Sequence, residues 1–257
     1  MAKLITTIIE VREHLPVNFT ADFDRLKPYL DNAERLYILK VIGKTEFEEL
    51  ATIYQTAANT VSAIVDDKVR AAVFAAQKII TNIGFLMAVP TLSLSIGAAG
   101  IQIHSNTEKK QAFQWQVEDF KSSLQEIGFG GIEELLEILT SNPIIFSSYI
   151  NSNEYLANTK YLITTAEEFN KHFEIKSSRF LFQTLGSLMA RIEVHVLERI
   201  FGEVFMASVK AANATVPLKK LSAKFLKPAL ALLTGARAIN EQIISFNQGV
   251  ASFNFIS

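Results

Sequence analysis

LITTIIEVREH at residues 4–14 returns as LITTAEEFNKH at residues 162–172, and this recurrence decides how the rest of the chain is read. Leu4-Ile5-Thr6-Thr7 falls on Leu162-Ile163-Thr164-Thr165, Glu10 on Glu168 and His14 on His172. After a slip of one residue the register continues through Phe23/Phe182, Leu26/Leu185, Glu34/Glu193 and Gly43/Gly202. Apolar positions keep step along the way, with Tyr29 on Leu188, Leu30 on Met189, Ile38 on Leu197 and Val41 on Ile200. A second match closes each copy: LSLSIGAAGIQIHS at 92–105 lies without gaps on ISFNQGVASFNFIS at 244–257. Ordered matches at nearly constant spacing indicate a duplicated unit.

Each copy follows one plan. Hydroxyl-bearing starts, Thr20-Ala21-Asp22-Phe23 in the first and Ser177-Ser178-Arg179-Phe180 in the second, can satisfy the free N–H groups of a first helical turn. The first helix then carries Phe23, Leu26, Tyr29, Leu30, Ala33, Tyr37, Ile38 and Val41 along one stripe and stops at Gly43. Pro28 inside that stripe predicts a kink or a separate first turn. A helix follows over Lys44–Tyr54, then an Ala-rich one over Asp66–Ala88, whose counterpart is Leu218–Glu241 with Pro228 in its interior. At Leu92 the period changes. Leu92, Leu94 and Ile96 alternate with serines, Gly97-Ala98-Ala99-Gly100 turns the chain, and Ile101 and Ile103 flank Gln102. Alternation on both sides of a Gly-rich turn predicts a β-hairpin.

Residues 106–160 have no counterpart. There Lys109–Ile127 reads as an amphipathic helix, Gly128-Phe129-Gly130-Gly131 as a break, and Ile132–Leu139 as a short helix ended by Asn142-Pro143. The expected fold class is therefore mainly α: two related helical-bundle units, each ending in a short β-hairpin, joined by a helical connector. The expected divisions are residues 1–105, 106–160 and 161–257.

Composition narrows the function. The chain has 257 residues, 49% hydrophobic and 20% charged, enough to bury a substantial core. Lys+Arg 25 against Asp+Glu 26, with no run of like charge, does not suggest the basic face of an electrostatic nucleic-acid binder. The absence of cysteine excludes disulfides, thiolate metal sites and a cysteine nucleophile. MAKLITTIIEVREHLP carries charges through its apolar stretch and does not read as a secretory signal. An intracellular or assembly protein is expected. No charge occurs between Lys78 and Glu108, a length that could cross a bilayer. Pro90, Gly97 and Gly100 break the stretch, and Asn82, Thr91 and Ser93 interrupt its apolar face, so it reads as a helix followed by a hairpin. No membrane partner is expected.

Catalytic chemistry finds no foothold. His14, His104, His172 and His195 contain no i, i+4 pair and no HExxH. The equivalent His14 and His172 suggest a shared structural hydrogen bond at a helix entrance. Glu46/Glu48/Glu49, Asp66/Asp67 and Glu133/Glu134/Glu137 read as solvated helix faces and helix starts. No GxSxG, GxxxxGK[ST] or GxGxxG is present. Trp115 with Phe113, and the phenylalanines at 246, 253 and 255, read as core or interface groups, since the basic groove of a single-strand binder is missing. No enzyme activity and no cofactor is expected.

LITTIIEVREHLPVNFTADFDRLKPYLDNAERLYILKVIGKTEFEEL resembles an uncharacterised family carried by tailed phages and prophages of gut bacteria. The likeness rests on Leu15-Pro16-Val17-Asn18, on Leu26–Ile38 and on Val41-Ile42-Gly43, and extends to 105–124 and 178–193. Its members are similar to the head–tail connector (head completion) proteins of tailed phages, in which a helical bundle forms a ring of subunits beneath the portal. The resemblance implies a homo-oligomeric ring, portal or neighbouring neck and tail proteins as partners, and DNA that passes without specific binding. It implies location in the virion at the head–tail junction, after synthesis in the host cytoplasm. This chain departs in size, with two bundles instead of one. The hairpins are the expected assembly devices, because free strand edges invite pairing with a neighbouring chain. The candidate interface is Leu92, Leu94, Ile96, Ile101, Ile103, Phe246, Phe253 and Phe255. The alternative is a membrane-active, pore-forming-like helical protein built on the uncharged 79–107 stretch, and a cytoplasmic scaffold is a third possibility.

Overall fold

Thr7 opens the first helix, α1 (Ile8–His14), through a reciprocal cap. Its hydroxyl accepts the Glu10 amide at 3.5 Å, and the Glu10 carboxylate accepts the amides of Thr6 at 2.5 Å and Thr7 at 3.2 Å. The structure, a computed structural model, describes residues 3–15, 23–92, 94–97, 100–103, 113–241, 244–247 and 250–253. The chain divides into two units, Met1–Ser152 and Asn153–Ser257.

In the first unit α2 (Phe23–Ala33) runs through Pro28 into a wide π-helical turn, Glu34–Ile38, and then α3 (Leu39–Ile42). Gly43, at φ 82°, ends α3 and starts α4 (Lys44–Thr56), a backbone conformation that a side chain would strain. After a short 3₁₀ turn at Val61–Ala63 comes α5 (Asp67–Leu92), started by Asp66, whose carboxylate accepts the amides of Lys68 and Val69. Strands β1 (Leu94–Gly97) and β2 (Gly100–Ile103) precede α6 (Gln114–Ser141) and the one-turn α7 (Ser147–Ile150). α5 is the central core helix. Ala72, Val73, Ala76, Ile79, Ile80 and Ile83 are buried along it. α2 packs against it with Leu30 on Gly84, and α6 packs with Gly128 on Ile83 and Gly131 on Ile79. Two buried amides tie the N-terminal segment down: Gln77 donates to the Leu4 carbonyl at 2.6 Å and Asn82 to that of His14 at 3.2 Å.

The second unit opens with α8 (Asn153–Thr159) and α9 (Ala166–Asn170), whose cap Thr165 repeats that of Thr7. Ser178 caps α10 (Arg179–Ile192) by accepting the Leu181 amide at 3.0 Å. A second π-helical turn, Glu193–Leu197, leads through α11 (Glu198–Phe201) to Gly202 at φ 88° and α12 (Glu203–Lys210). α13 (Val216–Leu221), a third π-helical turn over Ser222–Leu226, and α14 (Lys227–Asn240) follow, then β3 (Ile244–Asn247) and β4 (Val250–Phe253). Leu185, Leu188 and Met189 of α10 and Leu230 and Ala231 of α14 form the middle of this core. Pro228 falls in the first turn of α14, where a missing amide hydrogen costs little.

The structure corrects the expected fold class: the molecule is mainly helical, and among the described residues no β-sheet forms a layer of it. What stands where hairpins were expected is two isolated four-residue ladders, with Leu94 opposite Ile103 and Ile244 opposite Phe253. Helices and the segments that join them supply the described core. A lone two-stranded ladder buries too little to act as a structural layer, and helices fill the core instead.

The division of the chain is also different from the one expected. Residues 106–160 are not a separate connector: α6 and α7 belong to the first unit and α8 to the second. Gly128-Phe129-Gly130-Gly131 does not break α6, which runs unbroken for 28 residues. Gly128 and Gly131 lie where α6 meets α5, and a Cβ there would come within 2.6 Å of Ile83 and 2.9 Å of Ile79. Their missing side chains let the two helices approach, and the packing offsets the helix propensity lost.

Candidate functional site

The first two of the three π-helical turns place one buried acid each at the matching position, Glu34 and Glu193. Glu193 accepts the Leu162 amide at 2.9 Å and takes the Lys210 ammonium at 2.5 Å. Glu34 accepts the Leu4 amide, burial pushes its carboxyl above the ordinary range, and Lys3 lies 3.9 Å away. Leu4/Leu162 and Glu34/Glu193 are the repeat pairs read from sequence, so the two units share a structural hydrogen bond as well as a helix order. These acids anchor chain segments and are closed to solvent.

The histidines do not match in this way. His14 is buried, with Nε2 3.5 Å from Gln77 Oε1 and its ring 4.6 Å from that of Phe74, and burial lowers its pKa. His172 is half-buried and His195 exposed, while His104 lies outside the described residues. Among the described residues no three His, Asp or Glu side chains converge as metal ligands would.

Each unit has one described cleft. That of the first unit, about 920 Å³, is lined by Glu10, Glu13, Tyr54, Asp67, Arg70 and Glu134 among others. Several of its charges have partners: Glu10 in the α1 cap, Arg70 on Asp67, and Glu134 on Lys78 at 3.1 Å. Tyr54 donates to the Asn59 carbonyl at 2.9 Å, and burial raises its pKa. The cleft of the second unit, about 370 Å³, is lined by Lys160, Lys210, Lys219 and Lys227 with Tyr161 and Thr164. Lys210 is held by Glu193 and Lys227 by Glu168, each at 2.5 Å. In the first cleft the Thr6 hydroxyl donates to the Glu10 carboxylate at 3.0 Å, beside the α1 cap.

Of the acids at 46–49, Glu48 and Glu49 are exposed, while Glu46 departs from the expectation of a solvated face. Glu46 is 2% exposed and accepts the Tyr149 amide at 2.8 Å, while Glu49 accepts the Ser148 hydroxyl at 2.6 Å. α7 is thereby docked on α4. Glu46 was missed because its partner lies 103 residues away.

Large apolar side chains are exposed on several helices. In the second unit Ile200 and Phe201 of α11, Val204 of α12, Phe225, and Leu232 and Leu233 of α14 all face solvent. In the first, Phe113 and Trp115 do so at the start of α6. A signal for α14 was present: Phe225–Leu233 reads FLKPALALL, apolar on more than the one stripe a core requires. Of the interface residues expected from sequence, Leu92 ends α5, Leu94 and Ile96 lie in β1, Ile101 and Ile103 in β2, Phe246 in β3 and Phe253 in β4. Their side chains, and Phe255 altogether, lie outside the described residues.

A family model described as a family of unknown function (DUF6712) matches residues 38–159, from the end of the first π-helical turn to the end of α8. No curated protein and no solved structure matches the chain.

Proposed function

We propose that the chain is a non-catalytic structural subunit that works by assembly, as a ring component of a phage or prophage head–tail junction. Its neighbours are further copies of itself and portal or neck proteins, and DNA passes without specific recognition. The observation that carries the assembly part is the set of large apolar side chains on helical faces of the second unit, with Val204 85% exposed. Such groups are costly to leave in water and mark surfaces that a partner covers. The virion setting rests on the sequence resemblance.

The membrane-active alternative rests on α5, the helix among the described residues with the length and apolarity to cross a bilayer. Its apolar window is 72% buried inside the first unit, so that surface is already used in the core.

Mass spectrometry and immunolabelling of purified particles test the proposal, alongside native mass over a concentration series. The expected result is a fixed copy number per particle at one vertex. A protein found in the lysate and missing from intact particles sinks it.

A further inference from the structure

We infer that the open face of α14 receives the first half of α6 from a second copy of the chain, giving a head-to-tail contact. This rests on the assembly reading and names its surfaces. The starting observation is a difference between the two repeats. α5 and the Leu218–Glu241 segment are repeat counterparts, yet α5 is buried on nearly every side while α14 is not. In the first unit α6 lies along α5. Among the described residues of the second unit no helix stands as a counterpart of α6. There Phe225 is left 56% exposed and Leu232 54% exposed, with Leu233 beside them. Phe225, Ala229, Leu232, Leu233 and Ala236 recur at helical spacing, so they form one ridge with small residues between the large ones.

Charge selects the occupant. Asn153–Ser257 carries twelve Lys and Arg against eight Glu, whereas Met1–Ser152 carries thirteen against eighteen Asp and Glu. Beside the α14 ridge, Lys219, Lys220 and Lys224 make no ion pair with a described carboxylate. The first half of α6 has the complementary pattern. Phe113 and Trp115, the latter 63% exposed, lead an exposed face that continues through Glu118, Asp119 and Glu126. Glu118 also pairs with Lys121 at 3.0 Å, which leaves Asp119 and Glu126 for a partner. From Trp115 to Glu126 is about 16 Å along a helix, and from Leu233 back to Lys220 about 20 Å. Antiparallel packing therefore seats the aromatics on Leu232 and Leu233 and brings the acids to the lysines. Donor and acceptor surfaces differ, so each copy keeps one free end and the contact propagates into a ring or filament.

Sedimentation of the full chain tests this, with Trp115→Glu removing the donor surface and Leu233→Glu the acceptor. Both side chains are exposed, and unchanged melting temperatures check folding. Wild type is expected to grow beyond a dimer as concentration rises, and each variant to associate about tenfold or more weakly. Mixed together, the two variants are expected to form a one-to-one heterodimer and stop, because each supplies the surface that the other lacks. Where either variant fails to fold, Lys219→Glu/Lys224→Glu and Asp119→Lys/Glu126→Lys take their place. Each is expected to associate weakly alone, and the mixture to regain growth beyond a dimer, because reversed acids then meet reversed lysines. A wild type that stays monomeric, variants that associate like wild type, or a mixture without its expected assembly each overturn the inference. Assembly that persists in both variants overturns this contact alone. The broader reading fails separately, on absence from particles.

Discussion

Glu46 shows how one buried proton site links pH to stability. It is packed between α4 and α7, and burial raises its carboxyl pKa from 4.5 to about 7, with the nearby Glu49 charge adding to the shift. The Tyr149 amide opposes the shift but does not cancel it. A folded-state pKa above the unfolded one means that the native state holds the proton more tightly. The resulting stabilisation is fully present below about pH 4.5 and is lost as pH rises through about 7. Glu46→Gln keeps an acceptor for Tyr149 and removes the charge. Above pH 7 it is expected to melt higher than wild type, by on the order of 1–2 kcal/mol after solvent screening. The wild-type-minus-variant melting curve against pH is the measurement, and a flat difference counts against this account. Glu193 instead holds two partners, the Leu162 amide and the Lys210 ammonium. Glu193→Ala leaves the Leu162 amide buried and Lys210 without its carboxylate, and a loss of about 3 kcal/mol by denaturant titration is expected.

The glycines of α6 sort by the face that they occupy. A Cβ at Gly128 meets Ile83 at 2.6 Å, whereas one at Gly130 meets nothing within 4 Å. Gly128→Ala is expected to destabilise the first unit by about 1–3 kcal/mol through overpacking. Gly130→Ala is expected to stabilise it by up to about 1 kcal/mol, the ordinary helix preference of alanine over glycine. Urea titrations of the two variants check the sign. Read as a string, Gly128-Phe129-Gly130-Gly131 signals a break, since glycine in a helix costs backbone entropy. The helix continues because two of the three glycines face α5, and nothing local in the sequence says which two. The caps were legible for the opposite reason. Thr7, Thr165 and Ser178 act on amides three residues away, so sequence spacing and structural contact coincide.

At the scale of the whole molecule the chain consists of two cores. The second is made wholly of its own residues, from Leu162 to Ala238. Fragments cut between Ser152 and Asn153 are expected to melt cooperatively on their own, each with helical circular dichroism. A fragment without a transition counts against that division. The sequence by itself determined the duplication, the helical class, the caps and the glycine turns at Gly43 and Gly202, because these depend on neighbours in the chain. It also displayed the pairs Leu4/Leu162 and Glu34/Glu193, without revealing that they are one repeated hydrogen bond. Only the tertiary structure decided that α6 is a core partner of α5 and not a connector, that Glu46 is sealed under α7, and that α14 keeps an uncovered face. Burial is set by which segments meet across tens of residues of chain, and a local pattern shows an apolar face without showing what covers it.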